Sequence, residues 1–273
     1  MRIRYVDAFT DRPFAGNPAA VVLLDGPDFP SADRMQRLAA EINLSETAYA
    51  HPLGEGAEAD WALRWFTPAA EVAQCGHATL ATAHVLHEEG RCGQEVRFAT
   101  RSGVLGATIA EVGRVTLDFP TAPLEPAELP PVVTRAVGAP VLTACATGPL
   151  VGDWLVDVGD EHTVRTLAPD LPALAGAGGR GVIVTAAADS RSSGYDYVSR
   201  CFFPAVGINE DPVTGSAHTA LAPFWSARLG SADLVGLQAS ARTGRVVTAV
   251  RGERTLLTGS AVRVIDGELR VPL

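Results

Sequence analysis

The sequence predicts an α/β chain of the α+β kind, made of two pseudo-symmetric halves, each a strongly curved sheet around a central helix. Strand-like runs dominate both halves of the 273 residues, and each half carries one helix that is apolar nearly all round. The approach to each helix is also written twice. Residues 75–82, from Cys75 to Thr82, and 210–219, from Glu210 to Thr219, both turn on small residues into an Ala-rich helix. Arg64 and Pro68 precede Gly76 as Arg200 and Pro204 precede Gly215; the Arg-to-Pro spacing is four in both copies, and the Pro-to-Gly spacing is eight in one and eleven in the other. This is a diverged duplication, and it divides the chain into halves at 1–119 and 132–261. Residues 120–131 contain five prolines and read as the linker, and a C-terminal strand at about 262–273 is assigned back to the first half.

Along the chain, Arg2 to Phe9 alternates as a half-buried strand, and Ala20 to Leu24 forms a second after a turn-rich stretch. Ser31 caps a helix running to about Glu41. Strands follow at Glu46 to His51 and Ala59 to Phe66, then the first Gly-led helix from Gly76 to about Glu89, stopped by Gly90. Glu95 to Ala99, Val104 to Ala110 and Val115 to Phe119 complete the half. In the second half, strands lie near Trp154 to Val158, Val182 to Ala186 and Tyr195 to Phe203. The helix from Gly215 to Leu229 follows, with a kink expected at Pro223, and then short strands up to Val271.

Composition excludes several chemistries. A formal charge of −9 without a long acidic run argues against nucleic acid or an anionic membrane as partner and for a small molecule. All 22 basic residues are Arg. With no lysine amine, an internal Schiff base with pyridoxal phosphate and a P-loop are both excluded. The apolar runs are strand-sized, and Met1 to Tyr5 enters alternation with no signal-peptide pattern, so the cytoplasm is the expected location. Cys75, Cys92, Cys145 and Cys201 lack metal-ligand spacing and suit a reduced compartment.

A Gly-led helix N-terminus offers free N–H groups and a positive dipole end, so two such ends brought together would hold a carboxylate or enolate. Glu46 stands at a strand start between Ser45 and Thr47, where partial burial would ready it to shuttle a proton; the bland alternative is a solvated strand end. His77 falls in the first helical turn after Gly76, where the dipole favours its neutral form. Asp211 suits either a turn stabiliser or a second acid/base group, and Ser216 suits an anion holder or a cap. Zinc at Cys75, His77, His84 and His87 is not expected, because no His-x-x-x-His or paired-Cys spacing occurs, so no metal is assigned.

Asp7 to Val22, Asn43 to Thr47, Phe66 to Pro68, Cys75 to Ala81 and Gly207 to His218 together resemble the PhzF-like phenazine-biosynthesis family. The resemblance implies a diaminopimelate epimerase-like fold with the active site between the halves, a cofactor-independent isomerase that moves a proton on an amino-acid-like molecule, and a homodimer. It places the acid/base carboxylate on Glu46, the site histidine on His77, and the second-half aspartate and serine on Asp211 and Ser216. The two helix openings themselves put Gly76, Gly215 and Ser216, with Cys75 and Thr214 just before them, at the substrate. Epimerases of that fold use two opposed thiols, but Thr214 stands where the second would be, and a hydroxyl is too weak an acid and base for that duty. An epimerase using Cys75 alone and a ligand-binding protein without turnover are the competing readings.

Overall fold

A computed structural model describes residues 1–110, 113–190 and 193–271. By internal contacts the chain forms two units: 1–118 with 258–273, and 119–257. The chain leaves the first unit within one strand and re-enters it within another.

In the first unit, β1 (Arg2–Ala8) lies antiparallel to β2 (Asn17–Leu23), which runs parallel to β3 (Glu46–Pro52). β3 is antiparallel to β4 (Trp61–Phe66), whose short arm is β5 (Glu71–Val72). β4 is parallel to β6 (Glu95–Thr100), and β7 (Gly103–Ile109) and β8 (Arg114–Pro120) follow antiparallel. The long β17 (Arg254–Glu268) pairs with both β8 and β1, so the strands close on themselves. The C-terminal return therefore runs through residues 261–268, and residues 272 and 273 of the expected 262–273 strand lie outside the described residues.

Inside this ring lies α2 (Gly76–Glu88), packed against β1, β2, β3 and β7, and every residue from His77 to Leu86 is buried. Its alanines let strands approach from all sides. Gly259 of β17 is part of that fit: a Cβ there would lie 2.4 Å from Phe9 and 3.2 Å from Leu80 of α2. By contrast α1 (Ala32–Ile42), capped by Ser31, buries only Met35 and Ala39 and keeps its polar face outward.

The second unit repeats the plan. β11 (Asp153–Asp157) is parallel to β12 (Gly181–Ala187), which is antiparallel to β13 (Tyr197–Phe203) with its short arm β14 (Ile208–Asp211). After α7 (Gly215–Leu229), β15 (Asp233–Gln238) runs parallel to β13 and β16 (Gly244–Arg251) antiparallel to β15. These steps match β2, β3, β4, β5, α2, β6 and β7 in order and sense. The repeated arginines fasten the short arms: Arg64 grips Glu71 at 2.7 and 2.8 Å, and Arg200 grips Glu210 at 2.7 and 2.9 Å.

Residues 120–131, read from the sequence as a linker, hold β9 (Glu125–Pro126), paired with β10 (Thr143–Ala146), and enter α3 (Pro131–Val137) directly. The prolines are compatible with an edge strand and a helix start. Four short helices, α3, α4 (Gly148–Val151), α5 (Glu161–Thr166) and α6 (Leu171–Ala175), were not foreseen. α7 runs through Pro223 as one element. The Thr219 carbonyl, which an ordinary residue at 223 would bond, accepts instead from the Ala122 N–H at 3.2 Å.

Candidate active site

Glu46, His77 and Cys75 meet inside the first unit. Glu46 is the first residue of β3, His77 the second of α2, and Cys75 the N-cap, whose side chain makes no cap bond. The Glu46 Oε2 to His77 Nε2 distance is 3.0 Å, and Cys75 Sγ lies 3.6 Å from Nδ1 of the same ring. Oε2 and Nε2 are buried and close, yet their alignment falls short of a directed hydrogen bond. Loose alignment is usual in an acid/base pair without its substrate.

Burial pulls the His77 pKa down, but the Cys75 sulfur and the Glu46 carboxylate outweigh it and leave it well above its ordinary value. The carboxylate that β3 brings beside the ring thus overrides the neutral form that the helix dipole favours. Burial, then Glu46, push the Cys75 thiol up. Ring and thiol therefore each hold a proton more tightly than usual, the ring because a carboxylate lies beside it and the thiol because burial disfavours its charge.

One residue that the sequence reading passed over completes the group. Asn17 Nδ2 lies 3.2 Å from His77 Nδ1, with both side chains buried. Asn17 is delivered by Gly16, whose φ is +65° and where a Cβ would lie 2.1 Å from the Ala8 carbonyl, so only glycine fits. The signal was present in the Gly16-Asn17-Pro18 run, but the contact spans 60 residues and no local pattern announces it.

Glu46, Cys75 and His77 also bring one donor atom each within 4.8 Å of one another. Of the four residues weighed for zinc in the sequence, only Cys75 and His77 belong to this group; His84 faces Glu88 at 3.4 Å and His87 the Gly93 carbonyl at 3.2 Å. In the Glu46 group, carboxylate and thiol approach different ring nitrogens, whereas one ion binds along one ring lone pair.

In the second unit, Asp211 ends β14, and its Oδ2 accepts from the Thr214 hydroxyl at 2.5 Å. Thr214 is the N-cap of α7 and Gly215 its first residue; the Thr214 N–H donates to Gln238 Oε1 at 2.8 Å, so the opening is braced from β15. Ser216 accepts from Arg180 Nη2 at 3.2 Å. Arg180 is a second residue the sequence reading missed. Asp153, whose side chain is 0% exposed, holds it bidentately at 2.9 and 2.5 Å, and its guanidinium lies 4.4 Å above the Phe203 ring. Cys201, beside Asp211 in the strand register, is wholly buried; burial raises its thiol well above the ordinary range, which removes it as an opposing acid/base group.

Comparison with known proteins fits this architecture. The phenazine biosynthesis-like protein family matches residues 6–267. The chain is 47% identical over 272 residues to an uncharacterised isomerase of Pseudomonas aeruginosa, covering 99% of each. The crystal structure of a phenazine biosynthesis protein of the PhzF family from Enterococcus faecalis is 40% identical and superposes with a TM-score of 0.89 over 99% of both chains. The fold is shared more distantly with a hydroxyproline epimerase from Agrobacterium vitis, at 15% identity and a TM-score of 0.61 over 98% of this chain and 91% of that one. With its repeated strand order, its buried Gly-led helices and a match across nearly its whole length, the chain belongs to the PhzC-PhzF, phenazine biosynthesis-like, family.

Proposed function

We propose that this protein is an isomerase that moves a proton on a small, anionic, amino-acid-like molecule, with Glu46 as the acid/base group and neither metal nor organic cofactor. The observation that carries the reading is the buried Glu46–His77 pair at 3.0 Å. A carboxylate takes a proton from carbon, the electron pair moves into the adjoining π system, and the same proton or one from solvent returns at another carbon. His77, beside the carboxylate, steadies its charge between the two transfers. The names of relatives support the reaction class: the Pseudomonas aeruginosa protein above and one from Halalkalibacterium halodurans, 42% identical, are both described as isomerases.

Arg180 supports the anionic substrate. It sits at the opening of α7 beside Ser216, already turned by Asp153, so little side-chain freedom is lost when it meets a carboxylate. Asp211 and Thr214 hold one another in that opening, which favours a positioning role for Asp211. An epimerase working through Cys75 is the weaker reading, because the thiol is buried and its pKa is pushed up. The family resemblance also implies a homodimer, to be read by light scattering. A cytoplasmic location is supported by four free cysteines, and among the described residues no helix is long and apolar enough to cross a membrane.

Solvent-deuterium incorporation into a panel of cyclic and acyclic amino acids tests the function. Exchange with a shifted double bond supports the isomerase, inversion at a stereocentre supports the epimerase, and binding without exchange means a ligand-binding protein.

A further inference from the structure

We propose that Asn17 is a positioning residue that commits His77 to Glu46 and withholds it from Cys75. A neutral imidazole has one in-plane lone pair, and here it belongs to Nδ1 when Nε2 carries the proton. Two groups compete for it: the Asn17 amide at 3.2 Å and the Cys75 sulfur at 3.6 Å. An amide N–H is the stronger donor and lies nearer. With Nδ1 so occupied, the proton stays on Nε2, the atom 3.0 Å from the Glu46 carboxylate, and the thiol keeps its own proton. The titratable groups acting on the ring are Cys75, at the start of its own helix, and Glu46 from β3; Asn17 from β2 is the neutral arbiter between them.

The Gly16-Asn17-Pro18 turn thereby acquires a purpose. Gly16 exists so that the chain can turn tightly enough under Ala8 to set Asn17 at the start of β2, beside the first turn of α2. The same assignment accounts for a cysteine next to a histidine without thiol chemistry. Remove the amide donor and the lone pair falls to the thiol, which makes the thiolate–imidazolium pair that activates cysteines elsewhere.

The proposal concerns the free protein, so its test is separable from that of the isomerase reading. Nitrogen NMR of the full chain with isotope-labelled histidine is the first readout. Because Glu46 holds the His77 pKa well above its ordinary value, the spectrum is followed to alkaline pH, where the ring has become neutral: its remaining proton is expected on Nε2 with none on Nδ1, and a neutral ring protonated on Nδ1 would overturn the assignment. In Asn17→Asp, nearly the same shape, the carboxylate accepts instead of donating, so Nδ1 gains a proton and the His77 titration moves up. In Asn17→Leu, alkylation of Cys75 by iodoacetamide, followed on its own peptide by mass spectrometry, should quicken by roughly tenfold near neutral pH, the effect of lowering a thiol pKa by one unit. If both variants lose only thermal stability while the His77 spectrum and the Cys75 rate stay as in the wild type, Asn17 is structural and the proposal fails. Should Asn17→Leu not fold, the wild-type spectrum and Asn17→Asp still decide it.

Discussion

The two units share one strand plan and differ at the helix openings, and the differences fall on the residues that carry charge. Strand register aligns them: Tyr49 pairs with Arg64 as Val184 pairs with Arg200, so three residues earlier Glu46 corresponds to Gly181. Gly181 has no room for a side chain, since a Cβ would lie 2.2 Å from the Phe202 carbonyl oxygen and 2.4 Å from Phe203. One residue before it, where the first unit has Ser45, stands Arg180. The second residue of each helix follows suit: His77 faces a carboxylate, Ser216 a guanidinium. On two like frames, divergence has left a buried carboxylate–imidazole pair in one unit and a guanidinium–hydroxyl pair in the other; under the proposed function the first transfers the proton and the second meets the anion.

The sharpest way to break this contrast is Glu46→Gln. The amide keeps the shape but cannot exchange a proton, and turnover should fall by about 10² to 10⁴, the usual worth of general acid–base catalysis. Activity within a few-fold of wild type on the true substrate would remove the first unit's assigned task.

Acid should expose a second asymmetry. Burial drops the His218 pKa from 6.5 to about 3, against a smaller opposite pull from Gln238, while the corresponding residue of α2 is Thr79, which does not titrate. The unfolded chain then binds a proton that the folded one refuses, so this contribution is whole above about pH 6.5 and lost as pH falls towards 3. Each pH unit in that window should cost about tenfold in the folding constant. Denaturant unfolding of wild type and His218→Gln across this range checks it, with a flatter profile expected for the variant.

Arg180→Met should raise KM for an anionic substrate by about 10- to 100-fold with kcat less affected, as expected for one charge-assisted hydrogen bond. Steady-state kinetics, or titration with a small dicarboxylate, measures it. An unchanged KM would leave the second unit without its assigned task. Smallest of all should be Cys75→Ser, together with exhaustive chelation: activity should stay within a few-fold of wild type, because neither an opposing thiol nor a metal enters the proposed step. Inactivation by iodoacetamide that substrate prevents, with a dead Cys75→Ser, would restore the thiol mechanism.

Much of this was legible in the sequence wherever the signal is local. Gly76 and Gly215 mark where both central helices begin, their unbroken apolar character marks them as buried, and Glu46 sits at the strand start expected for it. The partners were not legible. Asn17 reaches His77 across 60 residues, and Arg180 reaches Ser216 across 36, so these side chains meet only once each helix is seated in its unit. The short helices α3 to α6 escaped for another reason. With four to seven residues each, they are too brief to show a helical period. At Pro223 the partner of the freed Thr219 carbonyl, the Ala122 N–H, comes from a segment about 100 positions away and was equally illegible.

That the chain leaves the first unit in β8 and returns to it in β17 has a consequence in time. The second unit is one continuous stretch, but the first waits for its last strand across about 140 residues (258 − 118). At roughly 5–20 residues per second of synthesis the wait is about 7 to 28 s. Through that interval β1 and β8 both lack the neighbour that closes the ring, and two bare strand edges are available to other chains. The newly made protein therefore passes through a stage in which its second unit is complete while its first, with Glu46 already made, is an open sheet. Chaperone demand and aggregation during expression should concentrate there, and a polypeptide stalled just short of β17 should be the stickiest species this sequence produces.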